Sequence, residues 1–375
     1  MTGPYFYLTE GLRIIRATRK AKKNPKIYEG KASEICHQIV EDCWNGKFFQ
    51  TSMTSFPQFW ARDFGWCTKS LMKLGYKDKV HRSLRYALNA YMKKGKITTT
   101  ISPKGKAYDF PYYAVDSLPW LIHSIKISKF DYDNYLTLLN KEIQRFYKIV
   151  VDAKEGMVVR DQKFSSMKDF SVRDGSCYDN CMLAMLAMDL YDMNLYNPFK
   201  MHGLAGKSLD TKRATQEFFS RLIAKKFWNG HYFYDDLQKL DYIAGDANLF
   251  PFITGIVTRE DRLKSVIKQI SYSELDKPFP LKYTNSRKQV KFIAQEFLFR
   301  DYESDSIWTH MGPLYIKLVE QVDKDLAHSY KAKYTAVIEQ NGGFVEVFFA
   351  DGRIYESPVY YADRAMLWAC NYLTL

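Results

Sequence analysis

The stretches CMLAMLAM (Cys181–Met188) and ANLFPFITGIV (Ala247–Val257) contain no charged residue. A helix that is apolar all round is buried all round, and neither stretch approaches the roughly 18 apolar residues of a membrane span. Both therefore need a shell of other helices, and the sequence supplies one. Lys79–Lys94 (KVHRSLRYALNAYMKK), Tyr132–Val151, Thr211–Phe227, Arg259–Ile270 and Lys324–Gln340 each carry an apolar stripe opposite a face of Lys, Arg and Glu. That is the pattern of a helix with one side in water. Between them lie segments with few charges after the first turn: Phe64–Leu74, Ala114–Ile125, Tyr178–Tyr191, Asp246–Val257, Ile307–Val319 and Tyr361–Leu373. About twelve helices alternating between wet and buried predict two concentric rings, an all-α (α/α)6 toroid. An open solenoid would show a fixed repeat, and none is visible. Short β-hairpins are expected in the connections, at Ile97–Ser102, Met157–Gln162, His231–Leu240 and Phe344–Tyr355, the last with a turn at Asp351-Gly352. No Gly/Ser/Pro-rich linker interrupts the chain, so residues 1–375 read as one domain with 1–30 as a peripheral N-terminal segment.

Composition narrows the function classes. Of 375 residues, 46% are hydrophobic, ample for a large core, and 28 Tyr and 25 Phe could serve either that core or sugar-stacking surfaces. The net charge of +13 is spread over many segments, with Arg16–Lys23 the nearest to a cluster, so neither nucleic acid nor membrane is expected as a partner. The six Cys contain no C-x-x-C and read as buried free thiols. The N-terminus lacks the apolar run of a signal peptide. A reducing, cytoplasmic setting is expected, with no metal or organic cofactor.

The unusual polar residues collect at one kind of place. Trp60-Ala61-Arg62-Asp63 precedes the first apolar helix, near Trp66, and Tyr112-Tyr113-Ala114-Val115-Asp116 opens the second, near Trp120. Asp174-Gly175-Ser176-Cys177-Tyr178-Asp179-Asn180 opens the third, Gly245-Asp246 the fourth and Asp305-Ser306-Ile307-Trp308 the fifth, with His310 close behind. Glu346 lies in the strand region before the sixth. In a toroid the inner helices all start at one end, so these groups would converge on one funnel of carboxylates and aromatics. Helix capping alone accounts for Asp116 and Asp246. It does not account for Arg62, a cation at a helix N-terminus, which opposes the dipole, nor for Glu346.

At these residues the sequence resembles the clan containing glucoamylases, the glucosidase domain of glycogen-debranching enzymes, and related trehalases and glucosidases. The likeness is spread in collinear order over most of the chain. Trp60-Ala-Arg62-Asp63 resembles the Trp-x-Arg-Asp element with which glucoamylases grip the non-reducing sugar, and Tyr113-Ala-Val-Asp116-Ser-Leu-Pro-Trp120 resembles a debranching-type segment. Gly245-Asp246-Ala-Asn-Leu249 is similar to the Asp-Ala-Ser-Leu segment of microbial glucoamylases. Tyr178-Asp179-Asn180 resembles the general-acid element of the processing-glucosidase branch. Gly343-Phe-Val-Glu346, followed by Tyr360-Tyr361, is similar to the C-terminal block that carries the catalytic base. Glucoamylases have Glu at the acid position, and Asn180 stands where they have a second Glu.

The resemblance implies an inverting glycoside hydrolase acting on an α-glucoside or related oligosaccharide, with Asp179 as general acid and Glu346 as general base. In that geometry the carboxyls lie roughly 6.5–9.5 Å apart with water between. Trp60, Arg62, Asp63, Trp66, Asp116, Trp120, Tyr178, Asp246, Trp308 and His310 are the expected substrate-binding residues. Two alternatives share the toroid. One is an unsaturated-uronide hydrolase using Asp116 with Asp179, or a sugar epimerase, for which His310 is placed but His123 reads as core. The other is a non-catalytic carbohydrate-binding toroid.

Overall fold

The computed structural model describes residues 4–110, 112–160 and 162–375. Among these, α1 (Pro4–Lys23) is followed by six outer–inner helix pairs. They are α2 (Ala32–Asp42) with α3 (Ala61–Lys73), α4 (Lys77–Lys94) with α5 (Ser117–Ser128), and α6 (Leu136–Val150) with α7 (Cys177–Asp189). After the short α8 (Pro198–His202) come α9 (Lys212–Phe227) with α10 (Gly245–Ile253), α11 (Glu260–Tyr272) with α12 (Gly312–Val319), and α13 (Lys324–Asn341) with α14 (Ala369–Tyr372). The inner helices α3, α5, α7, α10, α12 and α14 pack each on the next, and α14 closes on α3. The expected (α/α)6 toroid is the fold. Every residue of α7 is buried, as the charge-free run Cys181–Met188 at its centre requires, and Gly65 lets α3 approach α5 so closely that a Cβ there would sit 2.6 Å from Trp120.

The strands are two residues each. β1 (Phe59–Trp60), β2 (Thr100–Ile101) and β3 (Ala107–Tyr108) form one antiparallel sheet, β4 (Val151–Asp152) pairs with β5 (Met157–Val158), and β6 (Ile307–Trp308) pairs with β7 (Val347–Phe348). The turn at Asp351-Gly352 is present, with Gly352 at φ +88° and Phe348 bridged to Ile354. Three local expectations differ from the structure. His231–Leu240 forms no strand pair, because the Asn248 side chain on α10 takes both backbone groups of Phe233, at 2.8 and 2.9 Å. Ile307–Trp308 is strand, and helix begins only at Gly312, with Pro313 in its first turn. Helix in Tyr361–Leu373 begins only at Ala369, since Asp363 and Met366 hydrogen-bond across to the backbone of Glu346 and Phe344.

Among the described residues no helix is long and apolar enough to cross a membrane, and no cluster of His, Cys, Asp and Glu is arranged for a metal ion. All six cysteines are free and buried, as expected.

Candidate functional site

The N-terminal ends of α3, α5, α7 and α10 meet in one polar network. Arg62 at the start of α3 pairs through Nε with Asp116 (3.3 Å), the residue before α5, and donates to the carbonyl of Ser166. Asp116, fully buried, also accepts from Tyr178 of α7 at 3.1 Å, and Trp120 donates to that same hydroxyl at 3.2 Å. Burial pushes the Asp116 carboxyl up to about 7 despite the guanidinium beside it. Asp63 accepts from Trp368 Nε1 at 3.0 Å, and burial raises it to about 6. Trp66 stacks on His310 (centroids 4.3 Å apart), Arg62 lies 5.9 Å from the Trp66 ring, and burial holds His310 neutral. Trp308 stacks on Tyr283 at 4.9 Å, while Trp60 is half-buried between Phe56 and Phe110. Thus Arg62, Asp63, Asp116, Trp66, His310 and Trp308 surround the centre, whereas Trp120 and Tyr178 serve as packing and support beneath it. His123, midway along α5, is only partly buried and bonds Asp189, at the C-terminal end of α7, at 2.8 Å.

Asp179 lies in the first turn of α7, whose N-cap Ser176 accepts from the Asp179 amide at 3.1 Å. Its carboxyl takes the hydroxyl of Ser166. Burial raises its pKa, and Arg173 together with the Ser166 hydrogen bond pulls the other way. Asp246 has the opposite environment. It is fully buried between Lys168 (2.8 Å) and Arg173 (2.9 Å), which hold it below the usual carboxylate range against the cost of burial. Asp235 completes this group, at 3.6 Å from Lys168 and 3.4 Å from Arg173. Asp246 is engaged by protein cations here, not presented to a ligand.

Glu346 precedes β7 and is 1% exposed. Tyr302 donates to one carboxyl oxygen at 2.6 Å; Tyr360 and the Asp363 amide (3.2 Å) donate to the other. Burial still pushes the carboxyl up to about 7. The two candidate catalytic groups are joined by an unbroken run of contacts. Asp179 meets Ser166, Met167 follows and accepts from Tyr283, Tyr283 stacks on Trp308, and Trp308 packs on Tyr302, which holds Glu346.

That run reveals what the sequence reading did not foresee. The segment 163–174 enters the expected funnel and occupies it. Ser166 sits on Asp179 and Arg62, the Met167 sulfur lies 3.2 Å from His310, and Lys168 and Arg173 hold Asp246. Glu303, buried and pushed up to about 7, accepts from the amides of Asp169 and Phe170, both at 2.7 Å, and of Ser171 at 3.1 Å. A cavity of about 30 Å³ remains beside Asp179, lined by the segment and by Val158 and Val159, and Glu346 does not reach it. This is room for a water or two, far below the ≈ 300 Å³ or more of ligand pockets. Lys168, Arg173, Tyr302 and Glu303 were missed because a loop residue has no periodicity to betray which cavity it enters. Tyr360 was visible only as an aromatic following the Glu346 block.

No protein-family model matches the chain, and no curated protein matches it in sequence. Solved structures do match. A rhamnosidase from Klebsiella oxytoca with rhamnose bound superposes with a TM-score of 0.63 at 8% identity, covering 93% of this chain and 65% of the other. The GH63 mannosylglycerate hydrolase from Thermus thermophilus, in complex with Tris and D-glycerate, gives 0.60 at 11% identity, covering 92% of this chain and all of the other. A GH78 rhamnosidase of Bacillus sp. GL1 gives 0.58 at 11%, covering 91% of this chain and 34% of the other. The chain therefore has the six-hairpin (α/α)6 toroid of these glycosidases. It spans the whole length of one and about two thirds or less of the others.

Proposed function

We propose that this protein is an inverting glycoside hydrolase in which Asp179 is the general acid and Glu346 the general base, acting on an α-glucoside or a related α-linked glycoside. The observation that carries this reading is a division among the buried carboxyls. Asp116 and Asp246 form ion pairs with Arg62, Lys168 and Arg173, whereas Asp179 and Glu346 form none among the described residues, accept from hydroxyl donors and are pushed up by burial. A carboxyl whose pKa burial raises is the better proton donor to a leaving oxygen, and one titrating near 7 can take a proton from water at neutral pH. The roles need two such groups across one glycosidic bond. The (α/α)6 toroid, shared with the matched glycosidase structures, supports the glycosidase part of this reading. Arg62 and Asp63 would hold sugar hydroxyls, with Trp66 and Trp308 as apolar walls.

A sugar between Asp179 and Glu346 requires Ser166 and Met167 to withdraw, since they fill that space. Release of reducing sugar from a panel of α-glucosides, α-mannosides, α-rhamnosides, trehalose and uronides tests the reading, with proton NMR reporting the first anomer formed. Hydrolysis lost in both Asp179→Asn and Glu346→Gln, with the anomer inverted, is expected. Near-wild-type turnover by either variant, or retention of configuration, refutes the assignment.

A further inference from the structure

Asp363 is 2% exposed, and its carboxylate accepts five hydrogen bonds. Ser52 Oγ (2.7 Å) and the amides of Thr54 (3.1 Å) and Ser55 (2.7 Å) donate to Oδ2, while Thr54 Oγ1 and the Ala365 amide donate to Oδ1, both at 3.0 Å. None of the five donors is a cation, and Cys43 and Tyr28, which face the carboxylate from either end of α2, are not cations either. An Asn here would serve three of these donors through its oxygen without burying a charge, which is costly. What the charge adds is a field on its neighbour, and that neighbour is Glu346. The Glu346 amide donates to the Asp363 carbonyl at 2.8 Å, and the Asp363 amide donates back to the Glu346 carboxyl at 3.2 Å. One residue therefore holds Glu346 by backbone and side chain together. The other groups facing the Glu346 carboxyl are the hydroxyls of Tyr302 and Tyr360, with Tyr355 near them and Glu303 behind Tyr302.

The chain around Asp363 forms a seam between two parts of the site. On one side Met366 donates to the carbonyl of Phe344, next to Glu346; on the other Met53 donates to Ala365 and Leu367 to Thr51. Two residues after Met366, Trp368 donates to Asp63. Resting on the reading of Glu346 as general base, we propose that Asp363 is the positioning residue of that base: its backbone fixes the Glu346 carboxyl, and its carboxylate ties that hold to residues 52–55, the segment leading to Trp60, Arg62 and Asp63. The buried charge has a second effect. A like charge nearby disfavours ionisation of Glu346, which makes it a stronger base towards water.

The test compares Asp363→Asn, which keeps an oxygen for the loop donors and loses the charge, with Asp363→Ala, which loses both. Kinetics on the glycoside that the wild type cleaves best are followed across neutral pH. Asp363→Asn should move the rising limb of kcat/KM to lower pH by about half a unit or more. Asp363→Ala should lower kcat about 10- to 100-fold with KM within about threefold of wild type, because the base is misplaced and the sugar is still held. A limb that stays in place or moves up in Asp363→Asn overturns the role, as does a loss in Asp363→Ala carried by KM alone. If Asp363→Ala does not fold, the limb in Asp363→Asn decides. Carbon-13 NMR titration of the Glu346 carboxyl, assigned by its loss from Glu346→Gln, separates this inference from the hydrolase reading. Where no glycoside is cleaved, or Glu346→Gln keeps its turnover, that reading fails. A lower Glu346 midpoint in Asp363→Asn then still supports the coupling of Asp363 to Glu346, and an unchanged midpoint overturns it.

Discussion

The same chemical change, Asp→Asn, made at two adjacent inner-helix starts should have opposite consequences. Asp246 is an anion clasped by Lys168 at 2.8 Å and Arg173 at 2.9 Å, all three side chains being 6% exposed or less. In Asp246→Asn, Asp235, at 3.4–3.6 Å, is left to neutralise both cations alone. Removing one partner of a buried ion pair costs about 3–5 kcal/mol. At about 2.1 cal/mol/K per residue, 375 residues give an unfolding entropy near 0.8 kcal/mol/K, so Tm should fall by about 4–6 °C. Because Asp246 is held below its ordinary pKa, its contribution is complete above the unfolded value of about 3.9 and is lost as pH falls through the folded value. The gap between variant and wild type should therefore close in strong acid. Asp179 is shifted the other way, so its ionisation costs the folded protein stability as pH rises above about 3.9. Asp179→Asn removes that cost: at pH 8 its Tm should equal or exceed wild type, while turnover drops by about 10²–10⁴ or more. Differential scanning fluorimetry from strong acid to pH 8, alongside hydrolysis assays, reads both. Equal melting losses in the two variants, or a wild-type Tm in Asp246→Asn at pH 8, would refute the charge states on which the acid assignment depends.

Three further outcomes are expected. With Glu346 titrating at about 7, kcat/KM should climb as pH rises through that value, and Tyr360→Phe, which removes a donor favouring the carboxylate, should move this limb to higher pH in a pH–rate profile. Arg62→Met leaves Asp116 fully buried with only Tyr178 against it and should cost about 3–5 kcal/mol by denaturant titration. Adding Asp116→Asn should restore much of that stability without restoring turnover. Hydrogen exchange at the amides of Asp169, Phe170 and Ser171, now closed on Glu303, should quicken when a substrate glycoside is bound to the Glu346→Gln variant.

The sequence by itself determined the ring. Charge-free helices such as Cys181–Met188 have no stable place except inside other helices, and amphipathic partners such as Lys79–Lys94 supply that surround, so alternation alone implied two layers. It also marked Arg62 and Glu346, because each is a residue that its local structure does not require. What only the tertiary structure decided was the occupant of the centre and the charge on each acid. Asp246 and Asp179 look alike as carboxylates in first helical turns; the first is held down by its ion pairs with Lys168 and Arg173, and the second, which has no ion pair among the described residues, is pushed up by burial. Those two cations arrive on a loop, and a loop's path follows from contacts distant in the chain, such as the three amides gathered by Glu303. Periodicity records which face of a helix is buried; it holds no record of which distant side chain fills the space beyond the helix end.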